Sequence, residues 1–144
     1  MKDPAYQTAI TEGKAYRILR AKVSESLAAF NLSMPEWTLL GQLYDTPAIR
    51  LAELATFLGV EAPLVTMLVK QLEEKGLLTM QNDPTDSRAK LITLTDRGRD
   101  ILPQIEKVVR RNLEPLLVGI SVEEMKTYCK VLQTVIDNFT TLKG

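Results

Sequence analysis

From Leu51 to Leu72 apolar residues recur at helical spacing, broken at Gly59, and beyond Gly76 the spacing drops to two. A helix, a second helix and then alternating strands leave few folds open. RLAELATFLG predicts a short helix stopped by Gly59. EAPLVTMLVKQLEEKG, Glu61 to Gly76, predicts the next one. Ala55, Gly59 and Val65 stand four and then six residues apart. Ala55 is small where two helices cross, Gly59 can adopt the positive φ of a tight turn, and Val65 pins the second helix onto the first. Leu54, Leu58 and Leu68 fill the space between them. This is helix-turn-helix spacing, although any helix pair with a short glycine turn can imitate it.

The next segment narrows the choice. LLTMQ and KLITLT flank the turn-rich NDPTDSR, Asn82 to Arg88, which reads as a β-hairpin. A helix-turn-helix followed at once by a hairpin is a winged helix. Its expected tip holds Asp86 and Arg88, with Lys90 just beyond. A wing near a minor groove needs a cation to meet the negative potential there. A neighbouring carboxylate can hold that arginine in position. As a mere exposed ion pair, Asp86 and Arg88 would contribute little.

Both flanks read as helices. Tyr6, Ile10, Tyr16, Leu19, Val23, Leu27 and Phe30 mark a long first helix from Ala5 to Phe30. Ser33, Pro35 and Glu36 make a capping box for a second, which runs through Trp37, Leu40 and Leu43 to DTPA. After the hairpin, Thr95 and Asp96 begin a helix in which Pro103 and Pro115 predict kinks or an early end. Ser121 and Glu124 form another capping box, and the last helix carries Met125, Cys129, Leu132, Val135, Ile136 and Phe139. The long amphipathic ends cannot bury both flanks against so small a middle, so a symmetric homodimer is expected. A monomer whose end helices cover the core is the alternative. The expected fold is mainly α with a small β-hairpin wing. It is one domain over 1–144, with a winged helix-turn-helix lobe at 33–100 and dimerisation helices at 1–32 and 101–144.

Composition excludes more than it suggests. Eighteen Lys and Arg balance eighteen Asp and Glu, so any basic patch must be local. There is no histidine, which removes the commonest general base and metal ligand. A single cysteine, Cys129, cannot form an internal disulfide and suits a reducing compartment. No Gly-rich phosphate loop or GxSxG elbow is present. Neither enzymatic activity, a metal nor a cofactor is expected. MKDPAYQTAI lacks the apolar core of a secretory signal, and no run approaches the roughly 18 apolar residues of a membrane span. A cytoplasmic location without membrane partners is therefore expected.

In the second helix of the pair, Val65, Leu68, Val69 and Leu72 form the expected buried stripe. Ala62, Pro63, Thr66, Met67 and Lys70 then face outward, with Gln71 on the flank. Thr66 can bond bases or phosphate, Lys70 and Gln71 can donate, and glutamine can pair with adenine in bidentate fashion. Pro63 and Met67 offer only apolar contacts, for example to a thymine methyl, and Met67 is equally explained as a packing residue. Candidate DNA contacts are Pro63, Thr66, Met67, Lys70 and Gln71 on this helix, with Arg88 and Lys90 on the wing. Glu61 is awkward, because a helix N-terminus ordinarily attracts phosphate and a carboxylate repels it. Phosphate contacts then fall on Arg88, Lys90, Lys70, Lys75 and Arg50. Between Arg50 and Asp100 seven Lys or Arg face eight Asp or Glu, so modest affinity and a shallow salt dependence are expected.

LAELATFLGVEAPLVTMLVKQLEEKGLL followed by DPTDSRAKLITLTDRG resembles the MarR family of bacterial and archaeal transcriptional regulators. The most specific parts are Leu72-Glu73-x-Lys75-Gly76-Leu77, the wing pattern Asp86-x-Arg88-Ala89-Lys90, and LTDRG from Leu94. The resemblance covers nearly the whole chain. It implies a homodimer with two winged lobes that binds double-stranded DNA at a pseudo-palindromic operator. It further implies repression of transcription, relieved by a small aromatic or lipophilic effector or an oxidant. Family members often have Ser at the position of Glu61, Arg at Met67, a second Arg at Ser87 and an Arg near Met80. Those losses bear on binding strength and site preference, not on the fold. They keep open a second reading, a winged-helix dimer that binds a protein and little or no DNA. By family analogy an effector pocket lies between the dimer helices and the lobe, with Tyr16, Arg20, Trp37 and Leu40 as candidate liners. Core packing plus a surface arginine explains the same four residues more simply. Cys129 falls on the buried-looking face of the last helix, where cysteines are usually inert, so oxidant sensing is not expected.

Overall fold

The protein is described by a computed structural model covering residues 3–144. The order is α1 (Pro4–Ala28), α2 (Met34–Asp45), β1 (Ile49–Arg50), α3 (Leu51–Leu58), α4 (Ala62–Glu74), β2 (Leu78–Asp83), β3 (Asp86–Leu94), α5 (Asp96–Leu113) and α6 (Val122–Lys143), with a 3-10 turn at Glu114–Leu116. The chain divides into two compact units, one reaching Leu113 and one running from Glu114 to Gly144. No single helix among the described residues is long and apolar enough to cross a membrane.

Helix ends follow local chemistry. The boxes at Ser33 and Ser121 are both complete, with Glu36 and Glu124 returning the bond to the capping residue's own amide. Three helices close on a left-handed residue, Asn31 (φ 56°), Gly59 (φ 65°) and Gly76 (φ 75°). At each, the next amide reaches back to a carbonyl five residues earlier: Leu32 to Leu27, Val60 to Ala55 and Leu77 to Leu72. This is the Schellman closure, which satisfies carbonyls the helix end would leave open. Leu72 and Leu77 are both buried, supplying the apolar contact that accompanies it. The LEEKGL signature is therefore a helix stop.

The core of the first unit gathers Leu27 of α1, Leu39, Leu40 and Leu43 of α2, Leu54 of α3, Val65, Val69 and Leu72 of α4, Ile92 of β3 and Ile105 of α5, all with no exposed surface. Each such side chain contributes about 1.5–3 kcal/mol by leaving water. The predicted stripe of α4 is the observed one. α3 and α4 meet at 110°, within the range of a helix-turn-helix. In α1 only Val23, Ser26 and Leu27 are buried, while Tyr6, Ile10 and Tyr16 are exposed.

Three expectations need correction. The polar run Asn82 to Arg88 is mostly strand: β2 and β3 extend to Asp83 and from Asp86, leaving Pro84 and Thr85 as the turn. Near the end of a two-stranded ribbon both faces meet solvent, so polar residues hold strand geometry without alternation. The hairpin is also part of a three-stranded antiparallel sheet, ordered β1-β3-β2, in which Ile49 pairs with Ile92. Of the two prolines, Pro115 does bring the expected early end, α5 stopping at Leu113 with Pro115 in the 3-10 turn, but α5 passes through Pro103 without a break. Pro103 and Arg99 are exposed, so the carbonyl that loses its helical donor lies on the solvent side.

LTDRG is explained by a close crossing. Thr95 donates its hydroxyl to the Gly76 carbonyl (2.7 Å) and accepts from the Gly98 amide (3.0 Å). Its own amide donates to the Leu77 carbonyl at 3.1 Å. A Cβ on Gly98 would stand 2.0 Å from that carbonyl oxygen. Gly98→Ala should cost about 1–3 kcal/mol of stability or more, as overpacking against backbone does. Gly41, in α2, has nothing within 4 Å of its would-be Cβ. Gly41→Ala should stabilise by about 0.5–1 kcal/mol. Denaturant midpoints of the two variants should therefore move in opposite directions.

Candidate nucleic-acid interface

The exposed side of α4 is set by its buried side. With Val65, Leu68, Val69 and Leu72 inward, Pro63, Met67, Lys70 and Gln71 are exposed, and Thr66 is half-buried. The Thr66 hydroxyl donates to the Ala62 carbonyl at 3.1 Å, leaving its lone pairs and methyl outward. Glu61 is the capping residue, in extended conformation, and makes no side-chain cap bond. The Leu64 and Val65 amides both donate to the Glu61 carbonyl (3.1 and 3.3 Å), and Pro63 has no amide proton. Of the amides from Ala62 to Val65, only that of Ala62 is left for an anion. The anion site that a helix N-terminus ordinarily offers is nearly absent, before the Glu61 charge is counted.

On the wing, the Arg88 side chain is 91% exposed. Its amide donates to Asp86 Oδ1 at 3.0 Å, and its Nε lies 3.5 Å from the same oxygen. The backbone bond positions Arg88; the exposed ion pair adds little. Lys90 donates to Asn82 Oδ1 on the strand opposite, its register partner. Arg88 and Lys90 thus lie on the β3 ribbon and not on the turn, which corrects the expected tip.

Two cations expected at phosphate are committed elsewhere. Arg50 Nη2 and Nε hold the buried Asp83 Oδ2 at 2.8 and 2.9 Å. Asp83 Oδ1 accepts from the Thr85 amide (2.8 Å) and hydroxyl (2.7 Å), which folds the turn. The Thr85 amide, then its hydroxyl, hold the Asp83 carboxyl below the ordinary aspartate range against burial, with Arg50 adding to the effect. Lys75 Nζ reaches the buried Glu36 Oε2 (2.8 Å) and the Asn31 carbonyl (2.6 Å). Burial raises the Glu36 pKa, but the Lys75 bond, the Ser33 amide and hydroxyl and the Lys75 charge outweigh it, so the net direction is down. Sequence reasoning missed both ties because each joins residues more than thirty positions apart. The Asp83-Pro84 pair was the one local sign of a side-chain-closed turn.

Residues 32–90 match the model of the MarR family. That stretch is similar to the MarR family domain. Solved structures agree in fold along nearly the whole length. A mutant MarR from E. coli complexed with operator DNA is 21% identical with TM-score 0.78, covering 90% of this chain and 93% of its own. A MarR family transcriptional regulator from Rhodococcus sp. is 20% identical with TM-score 0.82, covering 94% and 96%. Bordetella bronchiseptica BpsR, whose DNA binding is regulated by 6-hydroxynicotinic acid, is 20% identical with TM-score 0.79, covering 95% and 98%.

Outside α4 and the wing, the effector candidates differ in exposure in the single chain. Arg20 Nη1 donates to the Tyr16 hydroxyl (3.2 Å), with the guanidinium 5.8 Å from the ring centre, and both are exposed. Trp37 is half-buried against the core, and Leu40 is wholly inside it. Cys129 is exposed, against expectation, because α6 has no buried residue in the single chain.

The lowered carboxyls fix a pH dependence. A folded pKa below the unfolded one stabilises above the ordinary value and loses that contribution as pH falls through the folded one. Stability should therefore be flat near neutrality and decline below about pH 4.3, less steeply in Glu36→Gln. Lys75→Met leaves Glu36 buried without its cation and should cost about 3 kcal/mol. Urea titrations across pH check both.

Proposed function

We propose that the protein is a sequence-specific DNA-binding transcription regulator that acts as a homodimer on a pseudo-palindromic operator. The observation that carries this reading is the α4 surface. A helix anchored by four buried residues presents an exposed outer face, beside a wing whose Arg88 side chain is 91% exposed and held only by a loose surface pair with Asp86. Lys70, Gln71 and Thr66 supply polar contacts, Pro63 and Met67 apolar ones, and Arg88 and Lys90 the cations of the wing. In a dimer two such helices occupy major grooves one helical turn apart.

Dimerisation is supported by apolar surface that each unit leaves uncovered. Tyr6, Ile10, Tyr16 and Ile18 are exposed on α1, and Val131, Val135, Ile136 and Phe139 on α6. So much exposed apolar area on helices is characteristic of an interface. Regulation is proposed as repression relieved by a small aromatic or lipophilic molecule, in keeping with the operator complex of MarR and the 6-hydroxynicotinic acid response of BpsR.

The second reading, a protein-interaction module with little DNA affinity, draws on charge. Seven cations already face eight carboxylates between Arg50 and Asp100, and Arg50 and Lys75 are bound internally. Selection of fragments from random DNA at two salt concentrations separates the two. A palindromic motif supports the regulator; no enrichment supports the module. Given a selected site, Arg88→Ala should weaken binding about tenfold, which is about 1.4 kcal/mol, and leave the dimer folded. Glu61→Ser should strengthen binding, since serine caps the helix and removes the repelling charge. A gel shift with unchanged midpoint for Arg88→Ala would remove the wing from the interface.

A further inference from the structure

We infer that the first two turns of α4 select bases through the C5-methyl group of thymine, so that thymines occupy the positions of the half-site facing Pro63 and Met67. This rests on the DNA-binding reading above and goes on to name what is read. A helix in the major groove meets base edges chiefly with its N-terminal residues. Arginine or lysine reads guanine, asparagine or glutamine reads adenine, and carboxylates read the cytosine amino group. From Ala62 to Val69 the sequence is Ala-Pro-Leu-Val-Thr-Met-Leu-Val, with none of these groups. The first side chains of that kind are Lys70 and Gln71, in the third turn.

What these turns do expose is hydrocarbon. Pro63 and Met67 lie four residues apart on one ridge, about 5–6 Å between Cβ atoms, directly opposite the buried stripe. Met67 is 48% exposed, and Leu64, on the flank, 37%. The Thr66 hydroxyl proton is committed to the Ala62 carbonyl, so toward a base Thr66 offers its methyl group and acceptor lone pairs. Glu61, ahead of the helix, can accept only from an amino group, that of cytosine or adenine, and neither is on thymine. In the major groove the one apolar feature that distinguishes base pairs is the thymine methyl. An unbranched thioether such as Met67 fits irregular apolar gaps well. The Thr66 methyl and Leu64 flank this ridge and add to the same apolar surface.

The test removes the methyl and nothing more. A site selected from random DNA is synthesised with deoxyuridine replacing each thymine of the half-site core in turn. Its affinity is measured for the wild type and for Met67→Ala, whose exposed position leaves the fold intact by circular dichroism. Uracil should weaken wild-type binding about fourfold at each thymine whose methyl is contacted. Met67→Ala should lose that penalty at one defined position and keep it elsewhere. A selected site with no thymine in the core, indifference to uracil throughout, or the full wild-type penalty pattern in Met67→Ala would overturn the inference while leaving DNA binding standing. Failure to select any site would overturn both.

Discussion

Lys75, Gly76 and Leu77 are the point on which the first unit turns. The Lys75 ammonium binds Glu36 and the Asn31 carbonyl, tying the end of α4 to the α1–α2 junction. The Lys75 carbonyl accepts from Arg97, the Gly76 carbonyl from the Thr95 hydroxyl, and the Leu77 carbonyl from the Thr95 amide. Four segments therefore meet at three consecutive residues. The left-handed conformation of Gly76 makes this possible, because it turns the chain from helix to strand within three residues. Gly98 completes the junction by allowing α5 to lie against the Leu77 carbonyl. The orientation of α4, and hence of its outer face, is fixed from its C-terminal end.

The N-terminal end of α4 is held differently. It has no capping side chain, and its second residue, Pro63, has no amide to donate. Its position comes from the Gly59 turn and from burial of Val65 and Val69. A helix anchored firmly behind and lightly in front can present a side-chain pattern to a groove without using its own terminus as an anion site. The wing is braced at its turn, where Asp83 joins Arg50 to Thr85, while the Arg88 side chain stays exposed farther along β3.

What the sequence revealed and what it hid follow from the range of the interactions. The stripe of Val65, Leu68, Val69 and Leu72, the caps at Ser33 and Ser121 and the stop at Gly59 are local, and all were legible from spacing. The extent of β2 and β3 was not, because Asn82 and Asp83 look like turn residues and are held as strand by pairing with Lys90 and Asp86. β1 is two residues long, too short for any period to register. Lys75 and Arg50 resembled surface cations because their carboxylates lie far away in the chain. Cys129 sits on an apolar stripe, and a stripe predicts burial only where something covers it. Of the candidate site, the outward set on α4 was legible because the inward set was.

The internal commitment of Arg50 and Lys75 has a kinetic consequence. Their charge is cancelled at short range, so the lobe projects little positive field into solvent. On the DNA-binding reading proposed above, a polyanion would then not be drawn in from a distance, and association would proceed near the unsteered rate of about 10⁵–10⁶ per molar per second. Differences between one stretch of duplex and another would be expressed almost wholly in how long the complex lasts. On that reading the protein would spend little time held on unrelated sequence, and its selectivity would lie in dwell time.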